Sequence, residues 1–241
     1  MISVCVPTFN GAPYIGAQLA SILASPRVSE VLVSDDGSTD DTLAVVRALR
    51  DPRIQMLEGP RRGLIRNVES LLEVARGDQV FLADQDDVWL PEKVDVMLEH
   101  LGHVDLVVCD CSVTDATLTV LHPSFFALRD SRAGLLHNLF RNGYLGCCLA
   151  FRRELLAHAL PFPDRLPMHD WWLGLVAETF GRVAFVPRPL VLYRRHGGNA
   201  STTAEASRAS WGTRLRWRAV LAAALARRRF ERRRSPARVR R

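Results

Sequence analysis

The chain has 241 residues, 48% of them apolar and 24% charged, which suits one large α/β domain, or a domain with an appendage, and excludes a disordered chain. Its net charge of +6 is a sum of unlike parts: residues 211–241 hold twelve arginines and one glutamate (+11), whereas residues 1–210 hold 20 basic and 25 acidic side chains (−5). The basic character therefore belongs to a tail, and nothing in the body calls for specific nucleic-acid binding.

In chain order the first half alternates short β-like runs with helical patterns. Strands are predicted at 2–6, 30–34, 53–57 and 79–83, and helices at 12–24, 39–49 and 64–75. Ser38-Thr39-Asp40-Asp41 gives the second helix a start resembling a capping box. Such alternation predicts a mainly parallel sheet with helices on both faces. Ligands then bind beyond the carboxyl ends of the strands, so the loops at 7–11, 35–40 and 84–87 are expected to share one cleft. The second half is less regular. Helices are expected at 91–101, from 154 and at 168–180, with a loop or short helix at 124–132. Strands are expected at 106–112, 144–151, 183–186 and 190–193. A polar linker follows at 200–210, and then the arginine-rich tail.

The amino terminus lacks a basic leader segment, and no run approaches the roughly 20 apolar residues of a membrane span. The expectation is a soluble, cytoplasmic chain, or one peripheral at the inner face of the cell membrane. Cys5, Cys109, Cys111, Cys147 and Cys148 lie in apolar runs without zinc-ligand spacing. They read as reduced, buried thiols.

Asp84-Gln85-Asp86-Asp87 carries the strongest chemical signal. Three carboxylates within four residues repel one another unless a cation sits among them, and Mg²⁺ or Mn²⁺ is commonly held by one or two carboxylates and completed by substrate phosphates. A solvated acidic turn is the plain alternative. Asp35 and Asp36 end a predicted strand, where a carboxylate can accept hydrogen bonds from a base or ribose; a turn plus helix cap is the alternative. There is no G-x-G-x-x-G and no Walker A lysine, and Lys93 is the only lysine in the chain. Asp170 opens a helix beside Trp171 and Trp172, a place where the helix dipole alone would favour an acid.

Val4-Cys5-Val6-Pro7-Thr8-Phe9-Asn10, Val33-Ser34-Asp35-Asp36-Gly37-Ser38-Thr39-Asp40 and Phe81-Leu82-Ala83-Asp84-Gln85-Asp86-Asp87-Val88-Trp89 resemble, in order and spacing, the family 2 glycosyltransferases. Gly146-Cys147-Cys148-Leu149-Ala150-Phe151, Met168-His169-Asp170-Trp171-Trp172-Leu173 and Tyr193-Arg194-Arg195-His196-Gly197-Gly198-Asn199 resemble its bacterial rhamnosyltransferase-like branch. The resemblance covers about residues 2–200. It implies a GT-A fold, a single Rossmann-like, mostly parallel sheet, over 1–200, with 201–241 as linker and tail.

It also implies roles. Pro7, Thr8, Phe9, Asp35 and Asp36 would line the nucleotide, with Arg66 or Asn67 near the sugar nucleotide. Asp84 and Asp86 form a D-x-D pair, Asp86 being favoured as the direct metal ligand. Asp170 matches the general base of inverting members, and His196 a residue approaching the metal or diphosphate. His169 reads as orienting or structural. The implied reaction moves a sugar, rhamnose from its deoxythymidine-diphosphate donor, onto a glycan or lipid-linked acceptor of a bacterial surface polysaccharide. A uridine-diphosphate hexose donor and a catalytically silent nucleotide-sugar binder are the alternatives. A nucleotidyltransferase would want a Gly-rich or basic triphosphate loop near the amino terminus, and none is present. The tail, 211–241, mixes Trp211, Leu215, Trp217, Leu221 and Leu225 with its arginines and is expected to touch an anionic membrane, although Arg214 and Arg218 interrupt the apolar face of Trp211 and Leu215.

Overall fold

The structure, a computed structural model, describes residues 1–197 and 210–234. The expected linker at 200–210 lies, except for Ser210, outside the described residues, as do Gly198, Asn199 and residues 235–241.

The first half builds a parallel sheet. Strands β1 (Ile2–Thr8), β2 (Glu30–Asp35), β3 (Ile54–Glu58) and β4 (Gln79–Leu82) lie in the order β3-β2-β1-β4, linked by helices α1 (Ile15–Leu23), α2 (Thr42–Ala48) and α3 (Leu64–Val74). Every residue of β1 is buried, as a strand covered on both faces requires, which is why its apolar run does not alternate. Ile15, Gln18, Leu19 and Ile22 form the buried stripe of α1, at helical spacing.

The second half mixes directions. It contains β5 (Val88–Trp89), α4 (Lys93–Leu101), β6 (Leu106–Thr114), β7 (Val120–His122), α5 (Phe125–Arg129), α6 (Leu135–Phe140), β8 (Leu149–Arg152), α7 (Leu156–Ala159), α8 (His169–Phe180), β9 (Val183–Arg194) and α9 (Trp211–Arg234). Strand β8 runs antiparallel to both β4 and β6, β9 runs parallel to β6, and β5 closes the row antiparallel to β9. One sheet, β3-β2-β1-β4-β8-β6-β9-β5 with β7 beside β6, thus spans the described residues.

Three local expectations are corrected. The strand expected at 144–151 is a 3₁₀ turn, Gly146–Cys148, followed by β8. That turn frees the Cys147 carbonyl to accept a hydrogen bond from Lys93 Nζ at 2.6 Å. The two strands expected around Pro187 and Pro189 are one, β9, because its register on β6 shifts between Cys109 and Ser112 where the prolines pass. Helix α2 starts at Thr42 with Asp41 as an N-cap that makes no side-chain cap bond. The Ser38 hydroxyl instead donates to Asp35 Oδ1 and accepts from Asn10 N–H, and Asp40 accepts from Ala12 and Thr42 N–H, so those side chains join two loops rather than cap a helix.

Helix α9 packs on α6 and α8, with Leu221 and Leu225 buried and Trp217 and Ala224 against the core. No helix among the described residues is long and apolar enough to cross a membrane.

Candidate active site

The carboxyl ends of β1, β2 and β4 open into a cleft of ≈ 460 Å³. Its wall is made by Pro7 and Thr8 at the end of β1 and Phe9 just after it, Asp36 after β2, and Asp84, Gln85 and Asp86 after β4. Arg61, Gly63, Leu64 and Asn67 line it from the start of α3, and Met168, His169 and Asp170 from the start of α8. All three loops expected to converge do so. Gln85 ties two of them together: its Oε1 accepts from Thr8 Oγ1 (2.5 Å) and Phe9 N–H (2.9 Å), and its Nε2 donates to the Phe9 carbonyl (3.0 Å). Phe9 itself is 54% exposed, an aromatic face offered at the cleft.

The acidic run splits into two layers. Asp84 and Asp86 line the cleft, and Asp87 is fully buried beneath it. Oδ1 of Asp87 accepts from Arg194 N–H at 2.9 Å, while a carboxylate oxygen of Asp84, one of Asp87 and the Cys147 sulfur lie within 4.8 Å of one another. Asp86 Oδ2 shares a 2.8 Å hydrogen bond with His196 Nε2, and the His196 ring stacks on Tyr14. Arg194 Nε donates to the Asp86 carbonyl at 2.7 Å, which holds the loop from below. Burial, then the charges of Asp86 and Asp170, push Asp84 up to about 8, against the pull of Lys93. Burial followed by Asp84 and Asp86 pushes Asp87 up as well. Burial and mutual repulsion thus disfavour ionising these carboxyls together, and a bound cation is what would let them give up their protons, as expected of a cation site. Hard carboxylate oxygens facing an open cleft fit Mg²⁺ or Mn²⁺; the Cys147 thiol, which burial keeps protonated, does not.

Asp170 sits opposite, on the first turn of α8, only 5% exposed. Its Oδ1 accepts from Trp171 N–H at 2.5 Å and, at 3.5 Å, from Asn142 Nδ2. These bonds lower its pKa, but burial outweighs them and raises it to about 7. His169, beside it, is buried with Nδ1 unpartnered, and burial lowers it to about 4, so its ring is neutral. Trp171 and Trp172 do not face the cleft: their indole N–H groups donate to the Asn138 and Ala159 carbonyls, and both rings are buried.

Two predicted residues lie elsewhere. Asp35 is absorbed in its turn, accepting from Gly37 and Ser38 N–H and the Ser38 hydroxyl, while Asp36 faces the cleft and accepts from Gly63 N–H. Arg66 points away from the cleft, bound to Glu69 at 2.5 Å and Asp164 at 2.9 Å. Asn67 does line it, its Nδ2 donating to the Ser34 carbonyl at 2.9 Å. Sequence reasoning missed Arg61, Leu145, Gly146 and Tyr193 as lining residues, and Lys93 as the buried cation beneath the cluster.

A profile described as glycosyl transferase family 2 matches residues 3–160. The chain belongs to that family. Among its relatives is an uncharacterized protein of Mycobacterium tuberculosis, strain CDC 1551 / Oshkosh, 32% identical over 225 residues, which are 84% of this chain and 69% of that protein. The dTDP-rhamnosyl transferase RfbG of Shigella flexneri is 24% identical over 219 residues, 80% of this chain and 72% of that protein. The family 2 fold is shared with solved structures. S. aureus TarS 1-349 in complex with UDP-GlcNAc superposes with a TM-score of 0.71 at 21% identity, covering 91% of this chain and 66% of that one. The mannosyltransferase PcManGT of Pyrobaculum calidifontis, in complex with GDP-Man and Mn²⁺, has a TM-score of 0.60 at 20% identity, covering 94% and 74%. The chain thus spans about two thirds of the length of the proteins it matches first.

Proposed function

We propose that this family 2 glycosyltransferase is inverting and metal-dependent, and that it moves rhamnose from dTDP-rhamnose onto a glycan or lipid-linked acceptor in bacterial surface polysaccharide synthesis. The observation that carries the reading is a buried carboxylate, Asp170, held near neutrality in its titration and facing the same cleft as Asp84 and Asp86. In the proposed step the acceptor hydroxyl attacks the anomeric carbon and its proton passes to Asp170. The new C–O bond forms as the bond to the nucleoside diphosphate breaks. Pro7, Thr8 and Phe9 line the nucleotide, with the exposed Phe9 ring as a stacking face for the base. Asp36 and Asn67 take the polar positions for which the sequence also offered Asp35 and Arg66.

Asp86 and Asp84 would hold Mg²⁺ or Mn²⁺, with His196 fixing Asp86 through its Nε2. It would join the coordination shell only by exchanging that bond. When bound, the cation offsets charge on the departing diphosphate. Mn²⁺ in the mannosyltransferase complex supports this assignment. The rhamnose donor rests on the motif resemblance and on the relative named as a dTDP-rhamnosyl transferase. A UDP-hexose donor is the second reading, favoured by the UDP-GlcNAc complex of the TarS fold.

The test is a thermal-shift panel of dTDP-, UDP- and GDP-sugars with and without Mn²⁺. At a hundred times its Kd a ligand of the folded state stabilises it by about 2.7 kcal/mol, a readable shift. Mn²⁺-dependent stabilisation by dTDP-rhamnose alone is expected. A response to UDP-sugars instead replaces the donor, and silence from all of them, with no nucleotide release on incubation, overturns the transferase reading.

A further inference from the structure

Helix α9 has two faces of different kinds. Leu221 and Leu225, with Trp217, Ala224 and the half-buried Arg214, Arg218 and Arg228, turn toward the body. Arg218 donates to the Phe140 carbonyl and Arg228 to the Pro161 carbonyl, so these arginines tether the helix to its bed. The arginines that interrupt the apolar pattern in the sequence are therefore on the packed side. Released from them, the outward side reads Trp211, Leu215, Ala219, Ala222, Ala226 and Phe230, spaced by four or three residues on one helix face. Trp211 is 82% exposed, Leu215 67% and Phe230 54%. Helix α6, on which α9 rests, adds Leu136 at 71% and Phe140 at 62%. Exposed Arg216, Arg227, Arg229 and Arg234 border the stripe, Arg234 lying 4.4 Å over the Phe230 ring.

We infer that this α6–α9 face docks on the surface of an anionic lipid bilayer, with the apolar stripe entering the headgroup boundary and the arginines pairing with lipid phosphates. A stripe of large apolar side chains this exposed wants an apolar partner, and an arginine border with a single glutamate on the whole helix wants an anionic one. A bilayer interface supplies both. A second copy of the chain would set one arginine border against another, and a free phosphate could not use the stripe. The surface also lies near the chemistry. Phe140 stands two residues before Asn142, whose Nδ2 reaches Asp170 Oδ1, and two residues of chain span at most about 8 Å. Docking there would bring the cleft to a lipid-linked acceptor; that consequence, though not the docking itself, rests on the proposed transfer reaction.

The full chain would be mixed with vesicles of phosphatidylcholine alone and of phosphatidylcholine with one third phosphatidylglycerol, and followed by sedimentation and tryptophan fluorescence. Trp211 is the reporter, since Trp89, Trp171 and Trp172 are buried and Trp217 is half-buried. The expected result is binding to the anionic vesicles alone, weakened by salt, with a blue shift that Trp211→Phe removes. The triple variant W211S, L215S, F230S is expected to lose at least tenfold in affinity with its melting temperature and nucleotide response intact. Equal partitioning of variant and wild type, or absence of binding, overturns the inference. A dimer that light scattering shows dissociating in the triple variant overturns it in favour of a second copy. Vesicle binding needs neither donor nor turnover, so binding without any transfer leaves the docking face standing and removes only the proposed reaction.

Discussion

An acid on the first turn of a helix is ordinarily held ionised by the helix dipole, yet Asp170 is raised to about 7 because its burial costs the charged form more than the dipole and hydrogen bonds return. A base must be unprotonated to work, so transfer should fall tenfold per pH unit below about 7 and level off above it. Asp170→Asn should lose roughly 10²–10⁴-fold in transfer rate while still binding nucleotide. Stability runs the other way. The folded state holds this proton more tightly than the unfolded chain does, so Asp170 stabilises least above pH 7 and progressively more as pH falls toward 4. Asp170→Asn should therefore melt higher than wild type at pH 8, by about 1–4 kcal/mol, and a variant that melts lower there would contradict the buried-carboxylate assignment. His169 carries the opposite sign. Its pKa is lowered to about 4, so it contributes stability at neutral pH that is lost as pH falls from 6.5 towards 4. The stability of His169→Gln relative to wild type should therefore rise as pH falls through that window, read from denaturation midpoints of the two proteins at each pH.

The same scale shows why Arg66 and Asp35 were illegible in the sequence. Arg66 is claimed by Glu69 one turn on and by Asp164, 98 residues away, and Asp35 is spent on the N–H groups of its own turn. No spacing rule ranks a local partner against a ligand. Asp84, Asp86 and Asn67 were legible because strand ends and a helix start carry them to the cleft whatever their neighbours do.

At the scale of elements, the parallel half could be read from sequence because β1, β2 and β4 are short, largely buried apolar runs that alternate with helical patterns, the half-buried β3 lying at the sheet edge. The second half could not. Strands β5 and β7 are two and three residues long, β9 carries two prolines, and β8 follows a 3₁₀ turn, so their pairing comes from long-range contact rather than from local pattern. The loops of the site depend on such contact too. Gln85 joins the β4 loop to the β1 loop, 76 residues earlier, with three hydrogen bonds. Gln85→Ala should raise the KM for the donor about tenfold or more with a smaller effect on kcat, since it removes about 1–3 kcal/mol of positioning without touching Asp170. An unchanged KM would mean that the two loops hold their shape separately. Gly174 sets a packing limit of the same order. A Cβ there would stand 2.3 Å from the buried Tyr144 ring, so Gly174→Ala should destabilise by at least about 1–3 kcal/mol, measured by denaturant midpoint.

For the molecule as a whole, the question is whether α9 is part of the body or a passenger. The charge division, −5 over residues 1–210 and +11 over 211–241, can be met by loose electrostatic association or by docking. The geometry favours docking. Leu221 is wholly buried and Leu225 nearly so, and Arg218 and Arg228 reach backbone carbonyls of the body, the acid that Arg228 pairs with, Glu231, being on α9 itself. Salt screens exposed charge pairs but leaves apolar burial in place. Ending the chain at Ser210 should therefore cost about 2–5 kcal/mol of stability, the order expected for uncovering two leucines and their bed, and this cost should persist at high salt. Nucleotide binding should survive the truncation, because every residue that lines the cleft precedes α9. A loss of stability that disappears in 0.5 M salt would mean charge alone holds the helix. An unchanged denaturation midpoint would mean that α9 does not pack on α6 and α8 in solution, and the outward stripe would then have no fixed orientation from which to meet a membrane.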